Sequence, residues 1–286
     1  MSRIEILKTY KIFIGGKFPR TESGRYFHMK NAKGDLLANI CLSSRKDFRN
    51  AVVAARKVQE NWANSTALNR GQILYRIAEI LEGRKSQFTE QLQSTGSTLS
   101  DAKKEVDQSI DRLIYYAGWS DKFQQIFSTV NPVASNHFNF STLEPTGVVS
   151  IISPNKHPLL GIISLLAPTI VGGNTTVILA STVNPMVAIS LAEVINTSDV
   201  PAGVVNILTG DREELLSHFA SHKDVNAIIY CGDNLKEIQT VEEIAVENLK
   251  RVSIYKRKNW DQENSQSPYF IEKCQEIKTI WHPTEV

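Results

Sequence analysis

A strand, a glycine-containing turn and a helix follow one another around Tyr230-Cys231-Gly232-Asp233-Asn234, an order that could place backbone amides around a phosphate. The single glycine would let the backbone approach a ligand closely. Asp233, and Glu237 one helical turn later, would instead bring negative charge to that phosphate. An aspartate at a helix start is also an ordinary capping residue, and the sequence favours this role for Asp233. The chain contains neither GxGxxG nor GxxxxGKS/T, the usual phosphate-binding motifs.

Other residues that could do chemistry have simpler interpretations. Cys231 would stand at a helix start, where the helix dipole lowers the pKa of a thiol, but it follows an apolar run and is predicted to be a small residue at a strand end. His218 and His222 are spaced i, i+4 without the Glu of HExxH, so no metal site is predicted. A polar trio ends another predicted strand, where α/β folds place ligands: Asn155, Lys156 and His157.

The composition is that of an ordinary globular protein. The chain has 286 residues, 42% of them hydrophobic and 22% charged, and its 32 Lys and Arg against 30 Asp and Glu give a net charge of +2. These values exclude disordered, collagen-like and coiled-coil classes. Opposite charges are interspersed, and the basic residues within 250–258 are predicted to be a solvated face, so no nucleic-acid partner is expected.

Cysteine usage and hydropathy predict a soluble protein of a reducing compartment. Cys41, Cys231 and Cys274 are odd in number and far apart, which argues against a disulfide framework and favours a cytoplasmic location. The first five residues contain an acid, and no signal peptide is predicted. Residues 158–181 carry no charge, but proline, glycine and a β-branched run divide them into a helix, a turn and a strand rather than a membrane span.

Hydrophobic periodicity divides the chain into a helical first part and an alternating second part. Helices are predicted from residue 47, over 68–92 and after Ser100-Asp101. Strands are then predicted at 148–152, 176–179, 204–208 and 227–230, with helices at 159–171, 186–195, 212–221 and 235–248. Near-continuous apolar strands that alternate with helices indicate an α/β fold with a doubly wound, Rossmann-like parallel sheet. A polar stretch at 256–268 and a last strand at 277–281 follow.

Seven short runs of sequence, in this order along nearly the whole chain, resemble the aldehyde dehydrogenase superfamily. They are FIGGK at 13–17, YYAGWSDK at 115–122, EPTGVV at 144–149, LLAP at 165–168 with GNT at 173–175, VPAGVVNI at 200–207 and NLKRV at 248–252. The resemblance implies an NAD(P)-binding domain, a catalytic domain with a cysteine nucleophile, and a β-hairpin arm with a C-terminal strand for oligomerisation. This chain is similar to a truncated form of such a protein.

The residues that the family uses for function do not match in this chain. The family's PWNFP run, whose Asn helps to form the oxyanion hole, aligns with residues 154–158, so that Lys156 takes the place of this Asn. The strand that ends in KPAE, whose Lys and Glu hold the adenosine ribose or its phosphate, aligns with residues 179–182. Leu179 and Thr182 therefore replace that lysine and glutamate.

The phosphate turn and the catalytic positions also depart from the family. The turn reads Gly232 and Asp233, and Glu237 replaces its second glycine. The general base of the family falls on Tyr255, and Cys274 does not lie in the context of the nucleophile. The resemblance therefore implies no catalytic residue, and we expect no cofactor; NAD or NADP belongs to an alternative interpretation.

The resemblance also predicts a division of the chain. Residues 1–130 and 144–258 are expected to form a unit like the family's coenzyme domain, and residues 131–143 and 267–286 to form the oligomerisation arm. Residues 259–266 are a polar connector, and the catalytic domain is expected to be absent. Five apolar side chains of the arm are predicted interface residues: Phe138, Phe140, Ile277, Ile280 and Trp281.

Three functional hypotheses follow. The first is a non-catalytic subunit, similar to the degenerate second unit of two-unit family members, whose arm binds a complete aldehyde dehydrogenase subunit or a second copy of the chain. The second is an NAD(P)-dependent oxidoreductase that acts on aldehydes through a rebuilt or partner-completed site, since fold alone does not exclude function. The third is a small-molecule sensor in which Lys156 or Arg257 faces an anion.

Overall fold

The computed structural model describes residues 6–31 and 33–284. The prediction about a signal peptide rests on residues 1–5 and lies outside the described residues, as do the ends of the predicted domains at 1 and 286. The elements, in chain order, are β1 (Thr9–Tyr10), β2 (Tyr26–Lys30), β3 (Leu36–Cys41), α1 (Arg45–Ala63), α2 (Ala67–Gly83), α3 (Lys85–Ser94), α4 (Leu99–Trp119), α5 (Phe123–Phe127), β4 (Thr129–Asn131), β5 (His137–Pro145), β6 (Val148–Ile152), α6 (Pro158–Val171), β7 (Thr175–Leu179), α7 (Pro185–Asn196), β8 (Val205–Leu208), α8 (Arg212–Ser221), β9 (Ala227–Cys231), α9 (Leu235–Ala245), β10 (Arg251–Tyr255), α10 (Tyr269–Glu272) and β11 (Gln275–Pro283).

A parallel sheet in the order β10-β9-β6-β7-β8 forms the centre of the molecule. Every residue of β6, β7, β8 and β9 is buried, because helices cover both faces of the sheet. The chain proceeds from β6 to β7 and β8 on one side, and then to β9 and β10 on the other. The predicted α/β class and doubly wound sheet are confirmed, and the connections diverge between β6 and β9, where such folds open a crevice.

The helical first part differs from its prediction in two places. The predicted helix over 68–92 is two helices, α2 and α3, because the backbone leaves the helical conformation at Arg84, directly after Gly83. Glycine has low helix propensity, and the Arg84 guanidinium is held by Glu193 at 2.6 Å. The third helix begins at Leu99, since the side chain of Thr98 accepts the Asp101 amide and caps the helix.

The arm is a sheet in the order β11-β5-β4, in which β11 and β5 pair over nine residues. The Asn174 side chain donates to the Cys274 carbonyl at 2.8 Å, and the Gln275 side chain donates to Gly172, so the start of β11 is fixed to the turn before β7.

The predicted interface residues divide between the two faces of the arm sheet. Phe140 lies opposite Ile280, so that these two and Phe138 share one face, whereas Ile277 and Trp281 lie on the other. The five side chains therefore do not form one continuous surface, because side chains alternate along a strand.

The polar connector is not a free linker. Trp260 is 1% exposed and Ser265 is fully buried, although most of their neighbours are polar. The buried guanidinium of Arg112 donates to the carbonyls of Trp260 and Ser265 and to the side chain of Gln266. Within the described ranges, no helix is both long and apolar enough to cross a membrane.

Candidate functional site

A crevice of about 420 Å³ opens at the carboxyl ends of β6, β9 and β10. It lies where the strand connections diverge, which is the usual ligand position in a doubly wound fold. Four cationic side chains and one carboxylate line it: Lys156, Arg212, Arg257, Lys258 and Asp233. The connector supplies one wall, so this segment helps to shape the candidate site.

The turn after β9 is built on the ring of Tyr230. The Tyr230 hydroxyl donates a hydrogen bond of 2.7 Å to Glu237 Oε2, in the first turns of α9. A Cβ on Gly232 would lie 2.7 Å from the Tyr230 hydroxyl oxygen, so the ring requires glycine at this position. Burial, followed by the hydrogen bond to Glu237, raises the pKa of Tyr230 well above its usual value. The hydroxyl therefore stays protonated and acts as the donor.

Asn234, not Asp233, caps α9. The Asn234 side chain accepts the amides of Lys236 at 3.1 Å and Glu237 at 3.5 Å. Asp233 is exposed, and its carboxylate lies 3.5 Å from Arg257 Nε. The predicted capping role of Asp233 is therefore wrong, because the helix begins one residue later and the next side chain reaches the free amides.

Arg212 occupies the point where β6 and β9 diverge. Its Nη2 donates to the carbonyl of Ser153 at 2.6 Å and to that of Cys231 at 3.2 Å. Its guanidinium carbon lies 5.5 Å from the centre of the Tyr230 ring, and Nη1 lies 3.9 Å from Glu237 Oε2. The strand ends are thus joined by a side chain of the protein itself.

Two contacts cross the mouth of the crevice. Lys156 donates from Nζ to Asn259 Oδ1 at 3.2 Å, and Arg257 faces Asp233 as described above. Arg257 has a φ of 46°, in the left-handed region that disfavours a residue with a Cβ. The chain at 257–259 therefore crosses the strand ends, where it contacts Asp233 and Lys156.

The crevice brings together only part of the predicted set. Lys156, Gly232, Asp233 and Tyr255 line it, and Glu237 lies behind Gly232 against Tyr230. Leu179 is 1% exposed and belongs to the core. Thr182 lies away from the crevice, where its amide and hydroxyl donate to Asn155 Oδ1.

Tyr255 is packed as an aromatic wall. Its ring stacks on Phe270 with centroids 5.4 Å apart and contacts Trp260 edge to face at 5.7 Å. Burial raises the pKa of Tyr255 far above its usual value. At the position of the family's general base, this chain therefore has a side chain that holds its proton.

The cysteines offer no nucleophile in the described part of the chain. Cys41, Cys231 and Cys274 are all buried, and none of the three forms a disulfide there. Burial raises the pKa of the Cys274 thiol to about 11 and that of Cys231 further, so both favour the unreactive thiol form. No group of three or more His, Cys, Asp and Glu side chains suited to a metal ion occurs among the described residues.

The residues at the turn do not fit a pyrophosphate held in the family's manner. A helix N-terminus binds phosphate through free amides, but Asn234 already accepts those of Lys236 and Glu237. The Glu237 carboxylate occupies the same end of α9. Leu179 supplies no cation at the end of β7.

The sequence did not predict the roles of three residues that shape the crevice, Arg212, Tyr230 and Trp260. Arg212 and Tyr230 have ordinary positions in a helix and a strand, and only the strand crossover brings them together. The burial of Trp260 could have been predicted, because a lone tryptophan in a polar stretch is a candidate for burial.

Comparison with known proteins identifies the family. A model described as the aldehyde dehydrogenase family matches residues 19–255. Mouse cytosolic 10-formyltetrahydrofolate dehydrogenase is 30% identical over 260 residues, which are 89% of this chain and 29% of that protein. Alpha-ketoglutaric semialdehyde dehydrogenase of Bacillus subtilis is 32% identical over 82% of this chain and 48% of its own length.

Solved structures agree with this assignment. An NAD+ complex of aldehyde dehydrogenase from Bacillus cereus superposes with a TM-score of 0.83 and 25% identity, covering 87% of this chain and 51% of that one. This chain thus spans about half the length of the solved structure and less than a third of the mouse relative. The chain belongs to the aldehyde dehydrogenase family.

Proposed function

We propose that this chain is a non-catalytic, aldehyde dehydrogenase-like subunit that works through another protein and does not bind NAD or NADP. The observation that carries the proposal is the Glu237 carboxylate, held by Tyr230 at the helix end where a dinucleotide phosphate would bind. Arg212, which bridges the strand ends, and Tyr255, at the general-base position, support it.

The repulsion between the carboxylates at the turn and a pyrophosphate supports the proposal that this chain does not bind NAD. Two like unit charges 5 Å apart repel by about 3 kcal/mol at an effective dielectric constant of 20. Glu237 is partly buried and would act near this strength, whereas the exposed Asp233 would contribute less because solvent screens it. Arg212, whose Nη1 lies 3.9 Å from Glu237 Oε2, offsets part of this repulsion, but the carboxylate still occupies the start of α9. A pyrophosphate at this turn would therefore be disfavoured.

Calorimetric titration with NAD and with NADP tests the proposal. We expect no heat of binding for either cofactor in the micromolar range. Micromolar binding of either one would contradict the proposal, because it would mean that the crevice accepts a dinucleotide despite the two carboxylates.

We further propose that the arm binds a complete aldehyde dehydrogenase subunit or a second copy of this chain. On β11, Ile277 is 68% exposed and Trp281 is 56% exposed, and the outer edge of this strand has no partner among the described residues. An exposed apolar edge strand is a surface that pairs readily with another strand. Sedimentation velocity, with and without a complete aldehyde dehydrogenase, tests this. The proposal would be contradicted if the chain stays monomeric at high concentration and does not bind the complete aldehyde dehydrogenase.

A second candidate is an NAD(P)-dependent oxidoreductase that acts on aldehydes with a partner-completed site. It is favoured by the four cationic residues of the crevice and by the likeness to a solved NAD+ complex. Aldehyde-dependent formation of NADH, measured by absorbance with and without a complete subunit, separates the two candidates. Turnover that requires a crevice residue of this chain would favour the second.

We also propose a cytoplasmic location. The three cysteines are well separated, and each is a free thiol in the described structure, as expected in a reducing compartment. Localisation of the chain fused to a fluorescent protein tests this, and secretion or retention in an oxidising compartment would contradict it.

A further inference from the structure

A second pocket, of about 330 Å³, lies on the other side of the loop between β6 and α6 from the crevice. Four segments line it: residues 95–98 after α3, the first turns of α4, the loop at 155–158, and residues 183–184 before α7. None of the functions considered above uses this pocket. Three of its lining side chains are buried or strained in ways that a simple packing role does not explain.

Glu105 presents one occupied and one available carboxylate oxygen. The residue is 6% exposed, and its Oε1 accepts the amides of Leu159 at 2.8 Å and Leu160 at 3.2 Å at the start of α6. Its Oε2 lies 3.7 Å from His157 Nδ1, which is longer than a hydrogen bond. A buried carboxylate thus retains acceptor capacity in a residue that lines the pocket.

Asn184 provides a second, independent acceptor. The residue is 1% exposed, and its Nδ2 donates to the Gln91 carbonyl at 3.1 Å and to the Thr95 hydroxyl at 2.8 Å. These bonds fix the orientation of the amide, because the Gln91 carbonyl can only accept. The remaining atom, Oδ1, is buried without a partner among the described residues. Buried polar atoms are nearly always hydrogen-bonded, so a donor from outside the chain is expected here.

His157, which also lines the pocket, has a strained backbone. Its φ of 54° lies in the left-handed region, and its Nε2 is buried without a partner in the described part of the chain. Backbone strain at a residue with a Cβ persists only where the surroundings impose it, and it concentrates at ligand sites.

The charges around the pocket select the kind of ligand. Asp101 and Glu105 line it, as do the basic side chains of Lys156 and His157, the second with its Nδ1 3.7 Å from Glu105 Oε2. The Lys156 ammonium is directed to Asn259 in the crevice and leaves the pocket negative. We propose that this pocket binds a small organic cation with N–H donors, either a guanidinium or a primary ammonium group. The charge lies at Glu105 Oε2, and one N–H donates to Asn184 Oδ1.

Matched probes test the proposal directly. In titrations followed by the amide resonances of Gly96 and the side-chain amide of Asn184, methylguanidinium is expected to bind at low millimolar concentration or better. N-methylurea has the same shape and similar donors without the charge, and tetramethylammonium has the charge without the donors. Both are expected to bind about tenfold more weakly, or not at all. Butylammonium serves to distinguish a primary ammonium ligand from a guanidinium ligand.

Two variants keep the proposal falsifiable. Glu105→Gln retains an oxygen that can accept the α6 amides, and we expect it to weaken methylguanidinium binding about tenfold or more. Asp107→Asn, on the same helix but outside the pocket, is the matched control and leaves binding unchanged. If Glu105→Gln does not fold, Val183→Trp, at a position 49% exposed at the pocket, is expected to block binding.

The proposal is overturned by any of three results. These are equal binding of methylguanidinium and N-methylurea, unchanged binding in a folded Glu105→Gln variant, and no binding of either cation up to about 10 mM. Such results would mean that water alone satisfies Asn184 Oδ1.

Discussion

The Tyr230 hydroxyl and the Glu237 carboxylate are joined by a hydrogen bond of 2.7 Å across the start of α9. The other carboxylate oxygen of Glu237 accepts from Asn234 Nδ2 at 3.1 Å, so both oxygens are held. A flexible glutamate could turn away from an incoming phosphate, but this one is fixed by two partners. The Glu237 carboxylate is therefore held in a fixed position beneath the turn.

Neutralising this charge should increase affinity for dinucleotides. We predict that Asp233→Asn combined with Glu237→Gln raises the affinity for NAD about tenfold or more, corresponding to about 1.4 kcal/mol. Both replacements keep the size of the side chain, and the amide oxygen introduced by Glu237→Gln can still accept from Tyr230. Calorimetric titration at low salt measures the effect, which should decrease as salt screens the remaining charges.

The matched control removes the same charge from the later part of α9 and the turn that follows it. Glu242→Gln combined with Glu247→Gln changes two exposed carboxylates and should leave the affinity for NAD at its original value. Equal gains in the two double variants would show that net charge, rather than the turn, governs binding.

The connector is predicted to depend on Arg112. Its guanidinium makes four hydrogen bonds, three of them to residues 260–266, and burial lowers its pKa. Arg112→Met would leave the carbonyls of Trp260 and Ser265 without donors, so we expect a loss of about 3 kcal/mol in the free energy of unfolding. Urea denaturation measures this loss, and hydrogen exchange should show faster exchange in 259–267.

An exposed arginine provides the comparison for Arg112. Arg76 forms a surface pair with Glu79 at 2.6 Å, and Arg76→Met should change the free energy of unfolding by less than about 0.5 kcal/mol. If Arg112→Met cost no more than Arg76→Met, the hydrogen bonds to the connector would not be what holds it.

The sequence predicted those parts of the fold that depend on local patterns. Strands β6 to β9 are short apolar runs between helices of regular period, and their predicted positions agree with the structure within one residue. The division at Arg84 was not predicted, because the apolar period continues through Gly83 and the contact of Arg84 with Glu193, 109 residues away, is not visible in the sequence.

The candidate site was less predictable, because its defining contacts join distant parts of the chain. Arg112 and Trp260 are 148 residues apart, and Arg212 reaches Ser153 across 59 residues. Hydrophobic periodicity is a local pattern and does not predict contacts between residues so far apart in the chain. The resemblance located the turn at Gly232, but it could not show that Tyr230 would hold Glu237 beneath it.

The arm should lose its partners when its exposed face becomes charged. We predict that Ile277→Glu combined with Trp281→Glu lowers the association constant about tenfold or more, since both side chains lie on one face of β11. Their exposure means that folding should change little. Leu68→Glu, at a position 65% exposed on α2, is the control for surface charge. Sedimentation velocity that shows unchanged association of the double variant would exclude this face as the contact.

The last prediction concerns Lys250, which is 7% exposed and donates to the carbonyls of His222 and Val225 at 2.8 Å. Burial lowers its pKa from 10.5 to about 8. Between these values the unfolded chain binds more protons than the folded one, so the contribution of Lys250 to stability rises with pH, by at most about 1.4 kcal/mol per unit. Below pH 8 this contribution is at its lowest, because the charged ammonium is buried.

Urea denaturation between about pH 7.5 and 10 should therefore show a free energy of unfolding for the wild type that rises relative to that of Lys250→Met. The comparison with the variant removes the titration of other groups, which both proteins share. Lys236→Met, at an exposed position on α9, should follow the wild type at every pH. A constant difference between the wild type and Lys250→Met across this range would mean that Lys250 titrates at its ordinary value, with its ammonium charge accommodated by the two carbonyls.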